Sequence, residues 1–367
     1  MNFEFSEDQK IIQEQARSFL ADKSNIAEVR KILEGEDSCH RPLWNAMVEL
    51  GWQGITIPEA YGGSGLGYLE LCVIAEEMGR SLAPVPFSSS VYFATEALKL
   101  AGSEQQKEHY LPRLAGGELI GTLAAIERQG AFTAANVQAT MKNGAITGNK
   151  VVVPDGDVAD FAVVAAQGDN GLSLYLVDLG AQGVKRESVA TLDPTRAHAG
   201  LVFSNAAAEL LGDEGQGESL LAKLYDGAAI LFAFEQIGGA QACLDMAIAY
   251  TMQRYAFGRP IASFQALKHK MADMFVAIEL ARSNAYHGAW ALSNNSEELP
   301  VSAATARISA VDAYYFCSKE NMQAHGGMGF TWELDCHLYY RRAQLLALAL
   351  GSKSYWQDLL IDRLIRA

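Results

Sequence analysis

The chain has 367 residues, half of them apolar and a fifth charged, and 29 Lys and Arg against 43 Asp and Glu leave a formal net charge of −14. That length predicts two or three domains and a core large enough to need no disulfide or metal staple. An acidic balance without any long basic run excludes nucleic acid as a partner. The five cysteines, Cys39, Cys72, Cys243, Cys317 and Cys336, show no Cys-x-x-Cys or Cys/His spacing for zinc, which predicts reduced thiols and a cytoplasmic setting. The opening Met1-Asn-Phe-Glu-Phe-Ser-Glu-Asp is acidic where a secretory leader would be basic and then apolar. The apolar run Ala228 to Phe234 stops at Glu235, well short of the roughly 18 residues that a membrane span requires, so no span is expected.

From Ser6 to about Ala101 the apolar period is helical. Ser6 with Gln9 three residues later reads as a capping box, and Ile11, Ile12, Ala16, Phe19 and Leu20 follow at helical spacing. A second helical piece near Leu43 to Leu50 ends at Gly51, the glycine-rich stretch Gly54 to Gly67 reads as a long ordered loop, and a helix from Leu69 to Leu82 stops before Pro84 and Pro86. Near Gly117 the pattern changes to short β-branched runs, Ala145 to Pro154, Phe161 to Ala166, Leu172 to Leu179 and Leu201 to Phe203, bounded by Gly, Asn and Asp turns. Without long crossover helices this predicts a compact antiparallel β domain. Gly212-Asp-Glu-Gly-Gln-Gly reads as a hinge, and long helices over 219–253, 264–293, 300–324 and 334–366 predict a C-terminal four-helix bundle. The expected organisation is α+β: residues 1–116 helical, 117–215 antiparallel β, 216–367 helical bundle.

Signatures of phosphate loops, nucleophile elbows and metalloprotease helices are absent. Two glycine clusters stand out, Tyr61-Gly-Gly-Ser-Gly-Leu-Gly and Gln323-Ala-His-Gly-Gly-Met-Gly-Phe. Either serves as a turn, and the second, at a helix junction, also lets backbone N–H groups approach an anion closely. Arg254-Tyr-Ala-Phe-Gly-Arg-Pro closes one long helix and Ser263-Phe-Gln opens the next. Arginines at a helix break are solvated charges or partners for a pyrophosphate, whose oxygens match the guanidinium fork.

Ser6-Glu-Asp-Gln, the segment Gly51 to Gly67, Leu192-Asp-Pro-Thr-Arg, Gln253 to Gln265 and Gln323 to Glu333 occur in the order found in the acyl-CoA dehydrogenase family, which the whole chain resembles as a divergent, bacterial-type member. The resemblance implies an N-terminal helical domain, a middle β domain and a C-terminal four-helix bundle. It also implies a flavoprotein tetramer with non-covalent FAD, an acyl-CoA substrate from fatty acid or lipid catabolism, and an electron-transferring flavoprotein as oxidant. Carried over by position, Arg254, Tyr255 and Ala256 meet the FAD pyrophosphate across a subunit interface. Phe264, Gln265, Gln323, Ala324, His325, Gly326, Gly327, Gly351 and Ser352 complete the dinucleotide half. Tyr225 and Asp226 match a substrate-side pair near CoA, although the arginine that often follows is Ala229 here.

The implied reaction removes an α-proton from the thioester and passes the β-hydride to flavin N5, which needs a carboxylate base and donors on the thioester oxygen. Both positions from which the family draws its glutamate have lost it, since they are occupied by Leu350 and Ala228. The backbone N–H at 350 is still available to polarise a carbonyl. Glu235 is the candidate substitute, a single carboxylate in an apolar run where desolvation favours a base. It lies seven residues past Ala228, about 10 Å farther along the helix, and its other reading is a carboxylate paired inside the bundle. The segment that normally cups the flavin ring is Ala125-Ile-Glu-Arg-Gln-Gly-Ala-Phe, and the usual Trp-x-Thr is Val152-Val-Pro154. With the ring half altered and the dinucleotide half kept, two roles are open: a dehydrogenase in its own right, as a homotetramer, or the non-catalytic subunit that completes a FAD site in a heterotetramer with a second family member. A flavin-dependent monooxygenase of the same fold is the weaker third.

Overall fold

The computed structural model describes residues 6–128 and 134–366. Met1 to Phe5 of the acidic opening, and Gln129 to Phe132 of the altered ring segment, lie outside the described residues.

The capping signal at Ser6 forms as its residues dictate. Ser6 Oγ accepts the Gln9 N–H at 3.2 Å and Gln9 Oε1 accepts the Ser6 N–H at 3.0 Å, opening α1 (Glu7–Lys23). After α2 (Ile26–Glu34) and α3 (Arg41–Glu49), the glycine-rich loop packs Ile55 and Ile57 inward. Gly63 is required there, since a Cβ would lie 2.1 Å from the Ile57 carbonyl oxygen. Then come α4 (Tyr68–Arg80), a π-helix over Ser88–Thr95 whose eight residues are all buried, α5 (Glu96–Ala101) and α6 (Glu104–Ala115).

Eight strands follow: β1 (Gly121–Ala124), β2 (Thr140–Lys142), β3 (Ala145–Pro154), β4 (Phe161–Gly168), β5 (Gly171–Asp178), β6 (Val184–Ser188), β7 (His198–Ala207) and β8 (Glu209–Leu211). They form one sheet in the order β6-β7-β3-β2-β4-β5-β8, with β1 beside β4. The expected antiparallel domain is corrected to a mixed sheet. β1 runs parallel to β4 from Gly121 opposite Phe161 to Ala124 opposite Val164, and β2 meets β4 in parallel at Thr140 and Gln167. The chain travels from β1 to β4 through the β2–β3 hairpin, so a parallel pair arises without the helical crossover whose absence suggested otherwise.

The remaining elements are α7 (Gly217–Gln253), the hairpin β9 (Tyr255–Ala256) and β10 (Arg259–Pro260), α8 (Gln265–Ser293), α9 (Leu299–Ala324), α10 (Cys336–Leu348) and α11 (Lys353–Arg366). The single helix expected over 334–366 is two helices. Gly351 at φ +92° leaves the helical region and ends the run, an interruption hidden within an apolar stretch. α7 is apolar and long enough to cross a membrane by composition, yet its apolar window is 89 % buried inside the fold.

By compactness the chain forms two units. One gathers residues 1–29, 68–83 and 229–367, the other 30–67 and 84–228. In the first, α4 and α7 touch backbone to backbone: a Cβ at Gly79 would lie 1.8 Å from the Glu235 carbonyl oxygen, and one at Gly238 1.8 Å from that of Glu76. Ion pairs rim this contact, Arg17 with Glu77 at 2.7 Å and Arg282 with Glu76 at 2.6 Å. In the second unit the π-helix serines are bonded to residues that flank β3 and β7: Ser89 Oγ donates to Asp155 at 2.6 Å, and Ser88 Oγ accepts from Arg196 at 2.7 Å. Asp193, Thr195 and Arg196 of the Asp-Pro-Thr-Arg motif are all buried there.

Gly79→Ala is expected to force α4 from α7 and lower unfolding free energy by about 1–3 kcal/mol or more. Gly327→Ala, whose added methyl meets nothing within 4 Å, is expected to change it by less than ~0.5 kcal/mol. Urea unfolding of the two variants checks both.

Candidate functional site

The residues expected to bind a dinucleotide cluster in the first unit around the ends of α7 and α9. The Arg254 N–H donates to the Tyr250 carbonyl at 2.9 Å, and the Arg254 carbonyl accepts the Ile261 N–H at 2.8 Å. The backbone is thereby fixed at the base of the β9–β10 hairpin while the guanidinium is exposed, with no ion pair or hydrogen bond among the described residues. Tyr255 is 64 % exposed, and Phe257 at the hairpin tip is 96 % exposed with φ +52°. Phe264 caps the start of α8 beneath the Arg259 guanidinium, 4.1 Å from its ring centre, and Gln265 is exposed beside it.

At the end of α9, Gln323 is exposed while Ala324 and His325 are buried. His325 Nδ1 lies 2.8 Å from the Asn321 carbonyl, and its ring stacks on Tyr250 with centroids 4.1 Å apart. A neutral imidazole at that carbonyl carries its proton on Nδ1. This stack joins the arginine hairpin to the glycine turn, two motifs far apart in sequence. At Gly326 (φ +60°) and Gly327 a Cβ would meet nothing within 4 Å, so both glycines face open space. An uncommitted arginine, uncovered aromatic rings and a bare backbone turn suit a phosphate-bearing aromatic ligand, so the residues present fit FAD.

Gly351 and Ser352 occupy the α10–α11 junction of the same unit. The Ser352 hydroxyl accepts the Tyr355 N–H at 3.2 Å and so caps α11. Tyr225, Asp226 and Ala228 belong to the second unit and are 9 %, 5 % and 1 % exposed, with Tyr225 edge-on to Phe93 at 6.3 Å.

Glu235 is fully buried on α7, and its Oε1 lies 3.7 Å from Arg342 Nη1. Arg307, also buried, donates to Gln236 Oε1 at 2.8 Å and to the Leu346 carbonyl. Burial pushes the Arg307 guanidinium down to about 9, against the opposing charge of Glu235. Of the two readings of Glu235, the paired one is what is found: it is the acid of a buried set with two guanidinium groups, not an isolated base. Sequence reasoning missed the set because Arg307 and Arg342 arrive from other helices. A single cation inside the alanine-rich run Ala303-Ala-Thr-Ala-Arg307 was the available signal.

On the sheet, Glu127 accepts from Lys150 Nζ at 2.6 Å and from the N–H groups of Gln138 and Ala139 at 2.6 and 3.0 Å. Burial opposes its ionisation, but these donors hold its carboxyl below the ordinary range. β3 bulges between Lys150 and Val153, where Val152 takes φ +52° and is 46 % exposed. Positive φ is uncommon for a β-branched residue and marks a strained position. Pro154 in the same strand has no hydroxyl to offer and instead accepts from Thr122 through its carbonyl.

Comparison with known proteins finds the acyl-CoA dehydrogenase N-terminal domain over residues 6–118 and the acyl-CoA dehydrogenase C-terminal domain over 204–365. The chain is 33 % identical over 347 residues to acyl-CoA dehydrogenase IpdE2 of Mycobacterium tuberculosis, covering 94 % of each. Among solved structures it resembles the ChsE4-ChsE5 complex of Mycobacterium tuberculosis, with a TM-score of 0.91, 26 % identity and full coverage of both chains. It also resembles butyryl-CoA dehydrogenase of Megasphaera elsdenii, with a TM-score of 0.90, 25 % identity and full coverage of both chains.

Removing one partner of a buried charge set leaves the rest uncompensated. Glu235→Ala is expected to lower unfolding free energy by about 3–5 kcal/mol, and Glu235→Gln by less, in denaturant titrations.

Proposed function

Because the chain belongs to the acyl-CoA dehydrogenase family, oxidoreductases acting on CH–CH donors, we propose that it serves α,β-dehydrogenation of an acyl-CoA as the subunit that completes a FAD site for a second, base-bearing family member. One observation carries this reading. The two base positions hold Leu350 and Ala228, and Glu235, the carboxylate that could replace them, is fully buried beside Arg342. An acyl thioester loses its α-proton only to a positioned base, and a carboxylate held against a guanidinium inside a helix bundle cannot reach one.

In this reading FAD, when bound, accepts the β-hydride of the substrate. Arg254 pairs with its pyrophosphate, the Gly326 and Gly327 turn brings backbone close to the dinucleotide, and Phe264, Gln265 and Gln323 line it. The Tyr250–His325 stack keeps hairpin and turn in register. Tyr225 and Asp226, both buried, are the pair that this reading assigns to CoA. The exposed Arg254, Tyr255 and Phe257 suit a face that another subunit covers. A mixed tetramer in the cytoplasm, working in lipid catabolism with an electron-transferring flavoprotein as oxidant, is the corresponding assembly. Support comes from the likeness to the ChsE4-ChsE5 complex.

The test is the visible spectrum of the chain purified alone and purified with a co-expressed family member that carries the glutamate, each then mixed anaerobically with a panel of acyl-CoAs. The chain alone is expected to be colourless. The complex is expected to hold flavin that one thioester bleaches, and Arg254→Met in this chain to weaken flavin retention at least tenfold. Flavin held by the isolated chain and bleached by a thioester would overturn the subunit reading in favour of a self-sufficient dehydrogenase.

A further inference from the structure

The sequence contains two Asn-Gly pairs, Asn143-Gly144 and Asn170-Gly171, and both asparagines are exposed in two-residue hairpin turns of the sheet-containing unit. A following glycine leaves the next N–H unshielded by any side chain, so in an unfolded chain the two pairs are chemically alike. The fold makes them different.

Between β2 and β3 the turn residues are Asn143 and Gly144 themselves, at φ +49° and +79°, the left-handed combination that such a hairpin favours. Lys142 faces Ala145 across the ladder, so the turn closes through the Ala145 N–H and leaves that of Gly144 inside the turn. The Gly144 carbonyl accepts the Ala208 N–H at 3.1 Å, but neither the Gly144 N–H nor the Asn143 amide has a hydrogen bond among the described residues. The β2–β3 ladder ends three pairs away, at Thr140 and Thr147, so this tip opens locally at little cost.

Between β4 and β5 the turn residues are Asp169 and Asn170, and Gly171 comes after the turn, facing Gly168. Its N–H is the one that closes the turn. The Asn170 amide donates to Glu214 Oε2 at 2.7 Å, and Glu214 Oε1 accepts the Asp169 N–H at 3.1 Å. Behind them the ladder runs unbroken to Phe161 and Asp178.

We propose that Asn143 is a site of spontaneous covalent modification, deamidation through a cyclic imide, and that the fold protects Asn170 from the same reaction. The Gly144 nitrogen attacks Asn143 Cγ. A new N–C bond forms as the Cγ–Nδ2 bond breaks, and the amide nitrogen leaves as ammonia with the proton from Gly144. Water then opens the imide, with no oxidant or reductant. Addition at Cγ leaves aspartate, and addition at the main-chain carbonyl carbon leaves isoaspartate, whose backbone runs through Cβ and Cγ. Either product adds a carboxylate to a chain whose formal charge is already −14. Isoaspartate also inserts one atom into the backbone of a two-residue turn, which the Lys142–Ala145 pairing does not accommodate, so the hairpin opens. The inference rests on local chemistry and is independent of the function proposed above.

The test is incubation of the full chain, with its co-purified partner if it requires one, in mildly alkaline buffer with and without concentrated urea. Peptide mapping by mass spectrometry that separates aspartate from isoaspartate gives the rate at each site. In folded protein Asn143 is expected to deamidate at least tenfold faster than Asn170, and isoaspartyl methyltransferase with labelled S-adenosylmethionine to label the peptide that holds residue 143. In urea the two rates are expected to agree within about threefold, which shows that structure and not sequence separates them. Amide exchange over residues 140–147 is expected to rise at least tenfold in the isoaspartate fraction and to stay within about threefold of the unmodified chain in Asn143→Asp, because aspartate tolerates a left-handed turn. Equal rates at the two asparagines in folded protein, whether both fast or both slow, would overturn the proposal. Unchanged exchange in the isoaspartate fraction would overturn the opening of the hairpin.

Discussion

A guanidinium taken out of water must be met by charge and by acceptors, and the helical unit is built around two of them. Arg307 and Arg342 enter from α9 and α10, and Glu235 on α7 lies between them as their acid. The cost of desolvating such ions is several kcal/mol each, and the mutual attraction that offsets it depends on the distances between them, so sliding one of the three helices past the others would separate the charges. Arg342 extends the set by donating to the Leu82 carbonyl just past α4, and Gly79 lets α4 close onto the Glu235 backbone. One polar cluster thus specifies four helices that apolar packing alone would allow to slide.

The same cluster explains what could and could not be read beforehand. Helices with a clear period and cap, such as α1 with its Ser6 box, α8 and α9, are local properties and were legible to within a residue or two. The break at 349–352 was not, because Ala349-Leu-Gly-Ser interrupts an apolar pattern by one backbone dihedral that composition does not register. Nor was the π-helix: three consecutive serines look like surface, yet Ser88, Ser89 and Ser90 are buried with their hydroxyls bonded to the sheet residues and loops around them. Parallel pairing of β1 with β4 depends on a hairpin's path and not on either strand's sequence.

At the candidate site the division is similar. Arg254 and Gly326-Gly327 are recognisable because a helix end and a glycine turn are written in consecutive residues. The Tyr250–His325 stack that joins them links residues far apart in the chain, and nothing in either local context announces the other. Glu235 is the clearest case. From sequence it is one acid in an oily run, and desolvation is the only visible influence on it; its cations come from two later helices. The outward face shows the reverse situation. The Phe257 ring is almost wholly in water on a left-handed backbone, an arrangement costly twice over.

The composition of the helical unit has a consequence for synthesis. Its parts come from 1–29, 68–83 and 229–367, with the whole of the other unit made in between. α1 and α4 therefore leave the ribosome with their apolar faces uncovered and wait for α7 to α11. At roughly 5–20 residues per second, the roughly 150 intervening residues impose a delay of about 10–30 s. During that interval α1 and α4 have only each other to pack against, joined by pairs such as Arg17 with Glu77, and non-local closure of this kind slows folding. The sheet-containing unit, drawn from residues 30–67 and 84–228, has most of its partners to hand as it is made.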